Sequence, residues 1–353
     1  MGLILSAAPT WQRIRSRIHP ARAMPDLAIE RIEIAPGLEV EEKPALALPD
    51  EFALVEKTRD YTSIDKEAII LKGGARYHQP TIAYRYRDAF LADGTIYVRG
   101  GYAAITARRR RPLIVDQAEE YSNAMLCADM GSDLFFGRWL CDALAKELLA
   151  SELGLVPINQ SHPMRIHEEG YRRILGLQAH LPNVARIQNL LLVDDRGYNQ
   201  HHAGRFLELR ARMRAQAGVS GPEMVYLARG QLAVSGRAIQ NAPAVEAMLR
   251  SLGFTILYPE EMSAAEIQAA LSHARVLIAV EGSALAHAQL TMPTGGAMIV
   301  IQPSNRFSTA HKSAAEFADI RFGYLVAKAE EEGLTVDIKR LCETIDLVIS
   351  NIK

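Results

Sequence analysis

With 353 residues, 49% of them hydrophobic and 23% charged, the chain has the composition of an ordinary folded protein, which excludes disorder and fibrous architectures. Its length exceeds what one hydrophobic core fills, so two domains are expected. Forty basic side chains against forty-one acidic ones give a net charge of −1, which excludes a global field for a nucleic-acid backbone; any anion site must be local.

Residues 11–19 place Trp11, Ile14 and Ile18 on one helical face, interleaved with Arg13, Arg15 and Arg17. This suits a solvated N-terminal helix, and also a weak peripheral anchor to anionic lipid. No apolar run reaches the length of a membrane span and no secretory leader is read, so the expected location is cytoplasmic, at the inner face of the membrane if that anchor operates. Cys127, Cys141 and Cys342 form no C-x-x-C pair, which argues against a zinc site or a disulfide framework.

Short β-rich runs at 27–34, 68–71, 81–84 and 95–99 are expected to be strands, with Asp93-Gly94 as a hairpin turn. The basic run 108–111 reads as a solvated loop before a buried strand at 113–115. From about 135 the texture is helical: Trp139, Leu140, Ala143, Leu144 and Leu148 follow the helical period. A strand at 189–193 and a helix at 202–215 precede a Gly- and Pro-bearing stretch, 218–222, that is expected to be the linker.

Beyond it, strands are expected at 224–228, 254–258, 275–280 and 298–301, alternating with helices at 244–252, after Ser263, and at 284–291. Ser263 and Glu266 have capping-box spacing. Such alternation implies right-handed βαβ units and a parallel sheet. Domains are therefore expected at 1–217 and 218–330, followed by a helix over 331–353 that packs back on the first domain.

Ligands of open parallel sheets bind beyond the carboxyl ends of the strands. That rule selects Arg229, Glu260, Glu281, Gly282 and Ser283, with Arg237 in the loop after the first strand. Gly282 and Ala284 open a helix whose N-terminus favours phosphate, and two arginines could neutralise a diphosphate. Glu281 would repel phosphate, so it is expected to overhang the pocket and accept hydrogen bonds from ribose or sugar hydroxyls. No G-x-G-x-x-G follows a strand, and no P-loop, H-E-x-x-H or G-x-S-x-G is present. There is no Asp-x-Asp pair to hold a divalent cation on a diphosphate, so no metal or other cofactor is expected and protein cations must serve.

The segments Tyr226-Leu-Ala-Arg229, Arg237-Ala-Ile-Gln-Asn241, Leu252-Gly-Phe254, Pro259-Glu260, Ser263, Glu266-Ile-Gln268 and Glu281-Gly-Ser-Ala-Leu-Ala-His287 together resemble the core of glycosyltransferase family 61, in its bacterial capsular polysaccharide branch. The resemblance implies an α/β GT-B architecture, two Rossmann-like domains facing a cleft behind a β-rich preamble. It also implies inverting transfer from a nucleotide sugar, held by the C-terminal domain and by Asn241 among others, to a glycan or lipid-linked glycan acceptor. Arg138 and Trp139 fall where the family often has Gly-His-Trp-Leu, on the acceptor side, and Arg138 cannot replace a histidine as base. Asp142 and Asp133, with His287 in reserve, are then the candidate bases. Two other readings fit the same residues: a non-catalytic shell that binds a sugar nucleotide or a partner transferase, and a nucleotide-sugar epimerase.

Overall fold

The computed structural model describes residues 10, 14, 23–106, 118–159, 165–178, 180–218, 220–230 and 237–352. The basic run 108–111, the strand expected at 113–115 and the face at 11–19 other than Ile14 lie outside the described residues. The chain forms two compact units: Met1–Leu38, His78–Arg165 and Gly176–Phe206 make the first, and Glu39–Tyr77, Ile166–Leu175 and Leu207–Lys353 the second. This division is not the linear one at 217/218, because an early segment and a short helical piece belong with the C-terminal half. The changeover falls inside a helix, Gln200–Arg214. Among the described residues no helix is long and apolar enough to cross a membrane.

The first unit is built on β1 (Glu30–Ala35), β2 (Thr81–Ala92), β3 (Thr95–Val98), β4 (Gly101–Ala104), β5 (Glu119–Leu126), β6 (Val156–Ile158) and β7 (Val184–Asp194). Their order is β4-β3-β2-β7-β5-β6, with β1 also on β2. The hairpin is where it was expected: Ala92 pairs with Thr95, and Asp93 and Gly94 both have positive φ, 40° and 75°, as a type I′ turn requires. A two-residue turn can join only antiparallel strands, so this sheet is mixed. β7–β5 and β5–β6 are parallel, whereas β1–β2, β2–β3, β3–β4 and β2–β7 are antiparallel. The resemblance had implied a Rossmann-like sheet here. The helical stripe at 139–148 is present, but its first turn, Trp139–Ala143, is a π-helical turn that runs into Leu144–Glu152.

The second unit carries β8 (Met224–Leu227), β9 (Thr255–Leu257), β10 (Val276–Val280), β11 (Ala297–Pro303), β12 (Arg321–Ala329) and β13 (Leu334–Thr335) in the order β9-β8-β10-β11-β12-β13. The first four pairings are parallel and the last antiparallel, which confirms the expected parallel sheet. Every residue of β10 is buried, as a strand covered on both faces requires. Val276, Ile278 and Val280 pack on one face with Val245 and Leu249 of the helix Ala242–Ser251 and with Leu341, Ile345 and Val348 of the helix Ile338–Ile349. The C-terminal helix thus belongs to its own unit's core, where its apolar face is consumed. The capping box of Ser263 and Glu266 is formed.

Residues 68–71 are helical rather than extended, within Ile64–Lys72. A four-residue apolar run carries no period of its own, and the ends decide it. Ser63 caps the N-terminus by accepting from Lys66 N–H, and Gly73 ends the helix at φ +69°, where a Cβ would collide with the Glu42 carbonyl. This helix closes a segment, 39–77, that is stitched to the C-terminal sheet. Glu51 accepts from Val326 N–H and pairs with Arg340, Glu67 accepts from Thr309 N–H and Oγ1, and Phe307 exchanges backbone bonds with Lys57 and Arg59.

Candidate functional site

In the order β9-β8-β10-β11-β12 the chain leaves β8 for one side of the sheet and returns on the other, so the topological switch point lies between β8 and β10. Ligand sites of doubly wound sheets form there, beyond the strands' carboxyl ends. β8 runs out into Arg229 and β10 into Glu281, so two of the expected site residues meet at this point. Arg229 Nη2 donates to the Glu281 carbonyl at 2.8 Å, and Arg237 Nη1 to the same oxygen at 3.1 Å.

Glu281 does not overhang the site. It is 3% exposed, and its carboxylate stands 3.5 Å from Arg237 Nη1, 3.5 Å from Arg306 Nη1 and 3.6 Å from Arg59 Nη1. A buried carboxylate needs cations, and here it gathers them. Three guanidinium groups stand beside this one carboxylate, and a fourth, Arg229, is held on the carbonyl of the same residue. Burial, with Arg237 adding to it, pushes Arg229 down to about 10, against the pull of Glu281. Arg237 is lowered too, by burial against the pull of Glu281, with Arg306 and Arg59 adding to it. Both remain protonated at neutral pH. Arg229 Nε is buried with no hydrogen-bond partner. The cluster gathers several guanidinium groups about a single described carboxylate, an arrangement that suits a polyanion.

Gly282 makes this convergence possible. Its φ is +145°, and a Cβ there would collide with the Arg229 guanidinium and stand 2.7 Å from Arg237 Nη1. Ser283 and Ala284 are half-buried in the following turn, where Leu285 N–H bonds Gly282 O and Ala286 N–H bonds Ser283 O. The helix itself, Leu285–Thr291, has only 7 residues, so the arginines rather than its dipole supply the positive potential.

Two expected donor contacts are spent on structure. Asn241 donates to Val336 O at 2.8 Å and accepts from Val336 N at 3.1 Å, bracing the chain beyond β13. Glu260 accepts from Gly230 N–H at 2.5 Å and fixes the loop after β8. His287 is 3% exposed, with its Nδ1 2.5 Å from the Tyr171 hydroxyl. Burial, followed by His167, pushes it down to about 3. It is an interior neutral imidazole and not a base placed for an acceptor.

In the first unit Asp142 lies in the π-helical turn, accepts from Tyr198 OH at 2.8 Å and pairs with Arg138 Nε at 3.1 Å. Tyr198 has φ +52°, a conformation that costs energy in a non-glycine residue. Asp133 accepts from Thr106 Oγ1 at 2.7 Å. Trp139 is buried, its ring 5.6 Å from that of Phe136, so it serves the core and not an acceptor surface. Sequence reasoning missed a second buried cluster here. Asp195 takes bonds from Thr81 Oγ1, His202 Nδ1 and Arg205 Nη2 at 2.7, 2.8 and 2.7 Å; burial raises its pKa, but His202 and Arg205 outweigh that and hold it well below the usual carboxylate range.

Arg59 and Arg306 were also missed. Arg306 follows β11 by three residues, so the strand-end rule could have found it; Arg59 carries no sequence signal, because the segment that delivers it lies far from the sheet in sequence. Residues 136–299 match the family model for glycosyltransferase 61, and no curated protein matches the chain. The match is a similarity to that family over less than half of the chain. It spans Arg138, Asp142, Arg229, Arg237 and Glu281, while Arg59 and Arg306 lie outside it.

Proposed function

We propose that the protein is an inverting, metal-independent glycosyltransferase whose nucleotide-sugar donor is held by its diphosphate in the arginine cluster of the second unit. The observation that carries this is the convergence of Arg59, Arg229, Arg237 and Arg306 on Glu281 at the topological switch point. Guanidinium groups bind phosphate oxygens in bidentate fashion. Placed at the departing diphosphate, they would stabilise the charge that develops as the glycosidic bond breaks. The GT-B arrangement is part of this reading, supported by the β9-β8-β10-β11-β12 order of the second unit and by the family match.

For the base that deprotonates the acceptor hydroxyl, Asp142 is the best of the three candidates. Its carboxylate is oriented from both sides, by Tyr198 and Arg138, whereas His287 is interior. The acceptor is a glycan or lipid-linked glycan, and the setting is capsular or extracellular polysaccharide assembly on the cytoplasmic side of the membrane; the support for that setting is the resemblance to the capsular branch.

The test is calorimetric titration with UDP and GDP in the presence of EDTA. At least one should bind, and Arg229→Ala and Arg237→Ala should each weaken it by ~1.5–3 kcal/mol, the scale of a charge-assisted hydrogen bond. Binding that appears only with added Mn²⁺ or Mg²⁺ would overturn the metal-independent reading, and unchanged affinity in both variants would remove the phosphate site. Release of free sugar from the donor, abolished in Asp142→Asn with nucleotide affinity retained, would separate a transferase from a non-catalytic binding shell.

A further inference from the structure

The segment 39–77 brings more than Arg59 to the arginine cluster. Two residues later the same turn presents Tyr61, whose residue surface is 63% exposed although its position is fixed at both ends. The Arg59 guanidinium carbon lies 5.3 Å from the ring centroid, and the hydroxyl is 2.8 Å from Ser308 Oγ. Ser308 is itself buried and locked, since its carbonyl accepts from Gln302 Nε2 at 2.7 Å and its N–H donates to Gln302 Oε1 at 3.2 Å. Gln302 stands near the carboxyl end of β11. The turn is closed by Thr62 N–H on Arg59 O, and Arg59 N–H bonds Phe307 O. Behind it Phe307 packs edge-on against Phe52 and Tyr324 at 5.4 Å each.

An aromatic ring left open to water gains little from hydrophobic burial, yet this one has lost its rotational freedom. Such a ring is prepared for a planar ligand, because the entropy of fixing it has already been spent in folding. Arg59 occupies one face, so the exposure belongs to the remaining face and edge. The same guanidinium that touches the ring also stands 3.6 Å from Glu281 Oε1, so a single guanidinium separates the ring from the phosphate-binding cluster. In a nucleoside diphosphate, a ribose separates the base from its first phosphate. We infer that Tyr61 is the stacking platform for the donor's nucleobase, and that segment 39–77 completes the donor site of the second unit with Arg59 on the diphosphate and Tyr61 on the base. This rests on the reading of the arginine cluster as a diphosphate site.

Inorganic pyrophosphate carries the charge without the base and separates the two ideas. Wild-type protein, Tyr61→Ala, Tyr61→Phe and Arg229→Ala are titrated calorimetrically with UDP, GDP and inorganic pyrophosphate, with melting temperatures as a check on folding. The expected result is that Tyr61→Ala binds the nucleoside diphosphate roughly five- to 150-fold more weakly, the range seen when a base loses an aromatic partner. Pyrophosphate affinity should change less than twofold, and Tyr61→Phe should retain most of the nucleotide affinity. Equal losses for pyrophosphate and nucleotide would overturn the inference, since the ring would then only position Arg59. So would unchanged nucleotide affinity, or a wild-type protein that prefers neither nucleoside diphosphate to pyrophosphate. Nucleoside diphosphate binding that depends on Arg229 but ignores Tyr61 would leave the diphosphate reading standing while this one fails. Absence of binding by all three probes would overturn both.

Discussion

Glu281 has an unusual electrostatic task as the carboxylate at the centre of an arginine cluster. Without it the four guanidinium groups would repel one another in a partly buried space; with it they hold together and still leave charge to spare. The substitution Glu281→Gln should therefore act with opposite signs on fold and ligand. We expect a melting temperature several degrees lower, because removing one partner leaves buried charge uncompensated, and tighter binding of inorganic pyrophosphate, which then takes over the neutralising role. Thermal melts with and without pyrophosphate measure both effects, and weaker pyrophosphate binding in the variant would contradict this role. His287 gives a pH prediction of the same residue-level kind. Its imidazole ordinarily titrates near 6.5 and is held down to about 3 by burial and by His167, so below pH 6.5 the unfolded chain takes a proton that the native state refuses. Stability should then fall as pH drops from about 6.5 toward 3, at up to about 1.4 kcal/mol per pH unit. In urea titrations at pH 7, 6 and 5, the dependence of stability on pH should be flatter in His287→Gln, which lacks this titrating group; an unchanged slope would assign the acid lability elsewhere.

At the level of elements, the junction of β10 with its short helix is where geometry is least forgiving. Gly282→Ala places a methyl group against the Arg229 guanidinium in a backbone conformation that L side chains rarely adopt. It should lower the melting temperature and weaken nucleotide binding together, whereas Arg229→Ala should weaken binding with much less effect on melting; nucleotide affinity retained in Gly282→Ala would show that the guanidinium groups do not need this approach. The strand–helix alternation of 224–303 was legible because each strand is a short apolar run, each helix has its own period, and Ser263 with Glu266 and Pro243 mark the starts. Arg229 and Glu281 followed from strand ends alone. The mixed sheet of the first unit was less legible. β5 reads Glu-Glu-Tyr-Ser-Asn before it turns apolar, so its burial comes from its neighbours and not from its own pattern. Glu281's true role was hidden because its partners Arg59 and Arg306 come from turns with no periodicity, and only folding brings them together.

For the whole molecule, the second unit is a composite. Its sheet and helices come from the C-terminal half, but Glu51 and Glu67 on the early segment accept from the backbone N–H groups of Val326 and Thr309, and Phe52 covers Phe307. A fragment of residues 207–353 would lose those acceptors and that cover, at a cost of ~1–3 kcal/mol for each buried donor left unsatisfied. It should melt without a cooperative calorimetric transition; a sharp transition close to that of the full chain would show that the early segment is dispensable for the fold.

The same feature sets an order of events during synthesis. Glu51 must wait for partners 275 and 289 residues further along the chain, which at typical elongation rates of ~5–20 residues per second is on the order of 15–60 s. Throughout that interval the nascent chain carries Phe52, Tyr61 and the apolar face of the helix Ile64–Lys72 without the sheet they cover. The protein should therefore depend on chaperone holding at the ribosome more than its size implies, and the arginine cluster can form only after Arg306 has been made, about 250 residues after Arg59.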